Sequence, residues 1–331
     1  MLLIEQMLMG TPSIGLMAIV SDSGAISVYN RSGDVFTKLA NPPSMPAMQA
    51  YGVAFSADGI YMAIVASGTP YVYLYKRSGN TFSRLANPAI LPASGGQGGI
   101  AFSADGVYLA VAANPTLTLY KRSGDTFTKL ADPTTLPTGA GHGVAFSADG
   151  IYMAIASSVN VFIYKRSGDT FTKLADPATL SGSCYGVSFS ADGIYLAVAA
   201  DSAPYLFLYK RSGDTFTKLA DPVILPAGLC CGVSFSADGA YLAVATTGTP
   251  RIVIYKRSGD TFTKLADPDY LPSADSVYSV ALSADGAHLV YTRSASPYAG
   301  TYKRSGDVFS RLYGIDTYPG STSQGCALLT L

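Results

Sequence analysis

At 331 residues the chain is long enough for two or three ordinary domains, and its 48% hydrophobic and 13% charged content fits a large buried core rather than disorder. Twenty-two basic residues balance 22 acidic ones, which leaves no electrostatic footprint for nucleic acid, whose binding depends on displacing phosphate counterions. No apolar run reaches the roughly 20 residues that a bilayer span requires, so membrane insertion is not expected.

In chain order, Met1 to Gly10 holds Leu2, Leu3 and Ile4, but Glu5 interrupts the run and no basic segment precedes it. That is not the pattern of a secretory signal, and synthesis in the cytoplasm is the expectation. Leu16 to Val20 reads as a strand. From there two phrases alternate to the end of the chain. Lys-Arg-Ser-Gly-Asp-Thr-Phe-Thr-Lys-Leu-Ala-Asp-Pro, with small changes, places its arginine at Arg31, Arg77, Arg122, Arg166, Arg211, Arg257 and Arg304. Gly-Val-Ala-Phe-Ser-Ala-Asp-Gly ends at Gly59, Gly106, Gly150, Gly193, Gly239 and Gly286. The steps of 43 to 47 residues match one four-stranded propeller blade. Each copy nearly cancels its own charge, which accounts for the neutrality of the whole.

The unit at 185 to 219 shows how a blade is written. Tyr185 to Ser190 alternates large Val187 and Phe189 with Gly186 and Ser188, as a strand does. Ala191-Asp192-Gly193 is a tight turn, Ile194 to Ala199 a second strand, and Ala200 to Pro204 a loop. Tyr205 to Lys210 is a third strand, Ser212-Gly213 a hairpin turn, and Asp214 to Leu219 an outer strand. No stretch adopts helical spacing. The expected fold is all-β, a single domain over 1–331 built as a seven-bladed β-propeller of four-stranded antiparallel blades. The blades fall near 11–40 plus 324–331, 51–86, 98–131, 142–175, 185–220, 231–266 and 278–312. Gln324 to Leu329 matches the inner-strand frame of Tyr51 to Ser56, so the C-terminal strand is expected to complete the first blade and close the ring. The alternative is that Gln6 to Met9 fills that place.

Val-Ala-Phe-Ser-Ala-Asp-Gly-Ile-Tyr-Met-Ala at 144–154 resembles the Phe-Ser-Pro-Asp-Gly core of WD-repeat and YVTN-type β-propellers, and the likeness runs over about residues 11 to 331. The chain has no Trp, so the Trp-Asp ending of the WD repeat is replaced by Tyr209-Lys210 and its equivalents, and the hydrogen-bond network of that family does not transfer. The near-identical Lys-Arg-Ser-Gly-Asp repeats also resemble those of tailed-phage and prophage virion proteins.

Alternate turns emerge on opposite sides of such a ring. The Ser-Ala-Asp-Gly and Ser-Gly-Asp turns share a monotonous face. The loops between second and third strands share the other, and these have diverged, which suits recognition, although loops also drift for want of constraint. On that face the residue opening each inner strand is Tyr51, Gly98, His142, Tyr185, Cys231, Tyr278 and Gln324 in turn. This set is the candidate ring at the channel mouth. The simpler reading has it plugging the channel or packing between blades; the sharper one has it gripping a small ligand, a sugar or a peptide tip.

Catalytic chemistry looks thin. There are two histidines, and His288 occupies the slot of Tyr61, Tyr108 and Tyr195, where it reads as a structural substitute. Asp58, Asp105, Asp149, Asp192, Asp238 and Asp285 repeat like scaffolding and are explained by turn chemistry. Cys184, Cys230, Cys231 and Cys326 show no metal spacing and read as small apolar thiols, with a Cys184–Cys230 disulfide as the alternative. No catalytic residue, metal or cofactor is therefore expected, and the chain is read as no enzyme. The leading expectation is a non-catalytic binding or structural propeller, a virion component or adhesin-like module partnered by another protein or a surface glycan. The Lys/Arg/Asp collar is then a solvated rim, or a docking surface in a larger symmetric assembly. The two alternatives are a lectin-like glycan binder and a propeller hydrolase or lactonase working at the channel.

Overall fold

The computed structural model describes residues 14–95, 99–113, 117–177, 180, 182–272, 276–315 and 317–330. Among them there are seven four-stranded antiparallel sheets and no helix. The inner strands touch one another in an unbroken circle, so the sheets are the blades of a closed ring. In the fifth blade the strands are Cys184–Phe189, Tyr195–Ala200, Leu206–Ser212 and Thr215–Lys218, from hub to rim. Tyr205, placed in the third strand by alternation, has φ 68° and stays in the preceding turn, because a left-handed backbone cannot continue a strand.

Second strands such as Tyr195–Ala200 are buried at every position. Both faces of a blade are covered by its neighbours, so the strand is a continuous apolar run rather than a half-polar alternation. Small and large residues instead alternate between the faces. Leu196 and Val198 pack towards the fourth blade against Ala154, Ala156 and Ile163, while Ala197 and Ala199 meet Leu242 and Val244 of the sixth. That interlocking of large against small fills the wedge between diverging sheets.

The repeated polar residues tie each blade to the next. Ser190 and Asp192 hold the first turn through bonds to each other and to the Tyr195 and Ile194 amides, and Gly193 there takes φ 64°. Tyr195 Oη donates to Asp260 of the next blade at 2.6 Å, and Lys210 Nζ reaches the same carboxylate at 2.9 Å. The same pattern recurs at Asp125, Asp169, Asp214 and Asp307. Between the first and second blades Leu16, Asn30 and Asn80 stand in place of the tyrosine, lysine and aspartate, so there the set is replaced as a whole.

Closure is made by the C-terminal strand. Ser323–Thr330 pairs with Ile14–Ser21, from Gly15 opposite Thr330 to Val20 opposite Gly325. Gln6 to Met9 lies outside the described residues, and the place it would have filled is occupied. Because this inner strand comes from the far end of the chain, the first blade has no Ser-Ala-Asp-Gly turn. In the third to seventh blades that turn's glycine carbonyl accepts the arginine Nε, as from Arg211 to Gly193 at 2.7 Å. Arg31 instead lies fully buried against the seventh blade. It donates to His288 Nδ1 at 2.9 Å, Asp285 at 3.2 Å and Thr330 Oγ1 at 3.1 Å. His288 Nε2 then meets Asp34 at 3.0 Å, the bond that a tyrosine makes at the other junctions.

Candidate functional site

The hub is built by a backbone device. In the fifth blade Cys184 faces Ala200 and Gly186 faces Ala199, so Tyr185 is the extra residue of a β-bulge. Tyr51, His142, Cys231, Tyr278 and Gln324 sit at the same register shift in their blades. A bulge re-aims one side chain and bends the strand, and here six bulges turn six side chains towards one axis. The glycine that follows lets the strands converge: a Cβ on Gly143 would stand 2.6 Å from the Tyr185 carbonyl oxygen, and one on Gly325 would stand 2.4 Å from that of Tyr51.

Convergence leaves a cavity of about 650 Å³ whose lining includes all six of these residues. Gly98, the seventh member of the expected ring, lies outside the described residues. Gln49, Leu229 and Thr247 also line it, which puts its opening on the face of the diverged loops.

Two sides of the cavity carry organised polar groups. On the fourth and fifth blades, His142 lies flat on Tyr185, with ring centroids 4.9 Å apart and planes 5° from parallel. His142 Nδ1 is 2.9 Å from the Cys184 carbonyl oxygen. A carbonyl only accepts, so Nδ1 carries a proton, and in the neutral ring the lone pair is then on Nε2. On the first and second blades, across the ring, Asp22 Oδ1 accepts from Gln49 Nε2 and from Gln324 Nε2, both at 2.6 Å. Tyr51 Oη donates to Gln49 Oε1 at 2.9 Å. Burial, helped by the Asp22 charge, raises the Tyr51 phenol above its ordinary value, so it stays a neutral donor. Tyr185 is raised in the same way by burial and by Asp201.

Asp22 and Gln49 were not among the expected site residues. The available signal was positional: the residue after the second strand is Asp in the first and fifth blades (Asp22 and Asp201) and Ser, Ala or Thr in the others. The turn aspartates are occupied by their serines and backbone amides, as Asp58 is by Ser56 and the Ile60 amide. The four cysteines are unpaired. Burial pushes the Cys231 thiol up to about 11 and Cys184 up to about 12, which removes both as nucleophiles near neutral pH. No group of three or more His, Cys, Asp or Glu comes together as metal ligands among the described residues. Those described residues do not fit a metal centre.

No family model matches the chain, and no curated protein is a detectable sequence relative. Solved structures do match. A "putative 6-phosphogluconolactonase" from Bacteroides fragilis superposes with a TM-score of 0.71 at 12% identity, over 96% of this chain and 98% of that one. The periplasmic gluconolactonase of Pseudomonas aeruginosa gives 0.70 at 15% identity, over 95% and 98%. The β-propeller domain of Cps50 from Myceliophteria thermophila, a WD-repeat propeller, gives 0.66 at 12% identity, over 89% and 98%. The fold is a seven-bladed β-propeller.

At these identities the likeness establishes the fold alone, but the names carried by the neighbours correct two expectations. Two of the propellers that match this chain from end to end are named as lactonases, one of them putative. None of the three is named as a virion or adhesion protein, and the likeness of the Lys-Arg-Ser-Gly-Asp repeats to phage proteins finds no counterpart among them. The expectation of a non-catalytic virion or adhesin module, and with it the reading as no enzyme, finds no support in these names, which favour the hydrolase alternative instead. The physical reason for the error lies in the count of ligands. Few histidines and carboxylates argue against a metal site, whereas a lactone carbonyl can be attacked with one base and a few hydrogen-bond donors.

Proposed function

We propose that the chain is a lactone hydrolase whose site is the channel mouth, acting on the cyclic ester of a polyhydroxylated acid. The observation that carries this reading is the pairing across one cavity of a histidine of fixed tautomer, His142, with the amide and carboxylate cluster of Gln49, Gln324 and Asp22. The lactonase names of propellers with the same fold support it.

Hydrolysis of a lactone needs a base for water, donors for the developing oxyanion and a proton for the leaving ring oxygen. His142 Nε2 takes a proton from water as the water oxygen bonds to the carbonyl carbon. Gln49 and Gln324 each spend one amide N–H on Asp22 and have a second to offer the oxyanion. Collapse of the tetrahedral intermediate breaks the ring C–O bond, and the imidazolium returns the proton to the departing oxygen. Tyr185 holds the imidazole plane by stacking, and the Cys184 carbonyl holds its tautomer.

The test is hydrolysis of glucono-1,5-lactone followed in a pH-stat above the spontaneous background. Wild-type protein should accelerate it, and His142→Asn should lower kcat by about 10²–10⁴-fold, the usual worth of a general base, with KM little changed. A wild-type rate equal to background, or a fully active His142→Asn protein, would refute the reading. Binding of the lactone without turnover would favour the glycan-binder alternative.

A further inference from the structure

We infer that the channel mouth selects an electrically neutral polyol lactone over its phosphorylated counterpart, with Asp22 as the residue that sets the preference. This rests on the lactonase reading above and narrows its substrate class.

Phosphate is recognised by arginine or lysine, by helix N-termini or by a bound metal. No lysine or arginine lines the cavity among the described residues, and the positions outside them, such as 96–98 and 273–275, hold none in the sequence. The lysines are engaged elsewhere. Lys76, Lys121, Lys165, Lys210 and Lys256 pair with turn aspartates on the opposite face. Lys129, Lys173, Lys218 and Lys264 pair with aspartates beyond the outer strands. The described chain has neither a helix nor a metal-ligand cluster.

What the mouth offers is the reverse of a phosphate cradle. Both amide bonds to Asp22 fall on Oδ1, and Oδ2 forms no hydrogen bond among the described residues. Asp22 does not itself line the cavity but is held by two residues that do, Gln49 and Gln324. A carboxylate oxygen with lone pairs to offer accepts hydroxyl donors, and the hydroxyls of a sugar-acid lactone reaching between the two amides supply them. The two glutamines hold the carboxylate in one orientation, so the acceptor is preorganised. Opposite, the stacked His142 and Tyr185 rings give an aromatic surface for the carbon face of a ring. A phosphate dianion entering the same mouth meets the Asp22 charge, and that of Asp201 beside Tyr185, and among the described residues no lysine or arginine lines the cavity to receive it. Like charges so placed discriminate strongly against the wrong partner.

The experiment compares kcat/KM for glucono-1,5-lactone and its 6-phosphate at low salt, in wild-type protein and Asp22→Asn. Wild type should prefer the neutral lactone by about 100-fold or more, and Asp22→Asn should shrink that ratio to about 10-fold. Raising the salt should lift the rate on the phosphorylated lactone only, because screening weakens the repulsion; this arm needs no variant to fold. Equal rates, or a preference for the phosphorylated lactone, would overturn the inference and leave the lactonase reading standing. If neither lactone is turned over the lactonase reading fails, and calorimetry with glucono-1,5-lactam and its 6-phosphate still decides. Binding of the neutral lactam at least about 10-fold tighter supports the selectivity, and equal or absent binding overturns it.

Discussion

Replacing Arg31 by alanine should damage the ring more than the same change at Arg77, its counterpart in the second blade. Arg31 has no exposed surface and bonds His288, Asp285 and Thr330 across the closing seam. Its removal takes the cation from Asp285 Oδ2, while Oδ1 keeps its Ser283 and Ala287 donors, and leaves His288 Nδ1 without its donor. Breaking a buried charged pair by deleting one partner costs about 3–5 kcal/mol; because Asp285 retains 29% exposure the lower end applies, about 3 kcal/mol. Arg77 donates its Nε to the Gly79 carbonyl at 2.7 Å in an exposed turn. The ring that the equivalent arginines stack upon, as Arg122 does on Tyr61 at 4.3 Å, is replaced there by Leu16. Its loss should cost about 1 kcal/mol or less. Urea unfolding followed by far-UV circular dichroism measures both. If Arg31→Ala costs no more than Arg77→Ala, the buried cluster does not hold the seam and the account of closure is wrong.

Acid should act at the same seam. Burial, with the Arg31 charge adding to it and Asp34 opposing it, holds the His288 imidazole below its ordinary value near 6.5. The unfolded chain therefore binds the proton first as pH falls, so this contribution is complete above about pH 6.5 and is lost on descending through the folded value. His288→Tyr should show a smaller drop in unfolding midpoint between pH 7 and pH 5 than wild type; an unchanged pH profile would remove His288 as the cause. At the hub, Gly143→Ala should lower stability and lactone turnover together, since its Cβ would meet the Tyr185 carbonyl. An alanine variant with wild-type activity would show that strand convergence there does not shape the site.

Blade number, strand order and closure were legible because seven copies of one unit can be laid over one another. The frame of Gln324 to Leu329 against Tyr51 to Ser56 is enough to find the missing strand, and the slot shared with Tyr61 and Tyr195 is enough to read His288 as their substitute. The bulges were less legible. The residue before each Gly-Val step was visible as a ring, but only the pairing of Cys184 and Gly186 with successive partners explains why Tyr185 turns inward. Gln324 was visible as a member of the ring, but its tie to Asp22 and Gln49 was not. The three come from a loop, a blade connection and the C-terminal strand, and no local spacing announces that ring closure brings 22 and 324 together. The candidate site was hard to read for a related reason: it is assembled from single substitutions at repeated positions, which neither a motif nor a count of metal ligands picks out.

The most direct test of the whole account is a crystal structure with glucono-1,5-lactam bound. The account predicts the lactam ring against His142 and Tyr185, with a hydroxyl within hydrogen-bond reach of Asp22 Oδ2. A lactam seated between blades or on the face of the Ser-Ala-Asp-Gly turns, with the channel mouth empty, would contradict it.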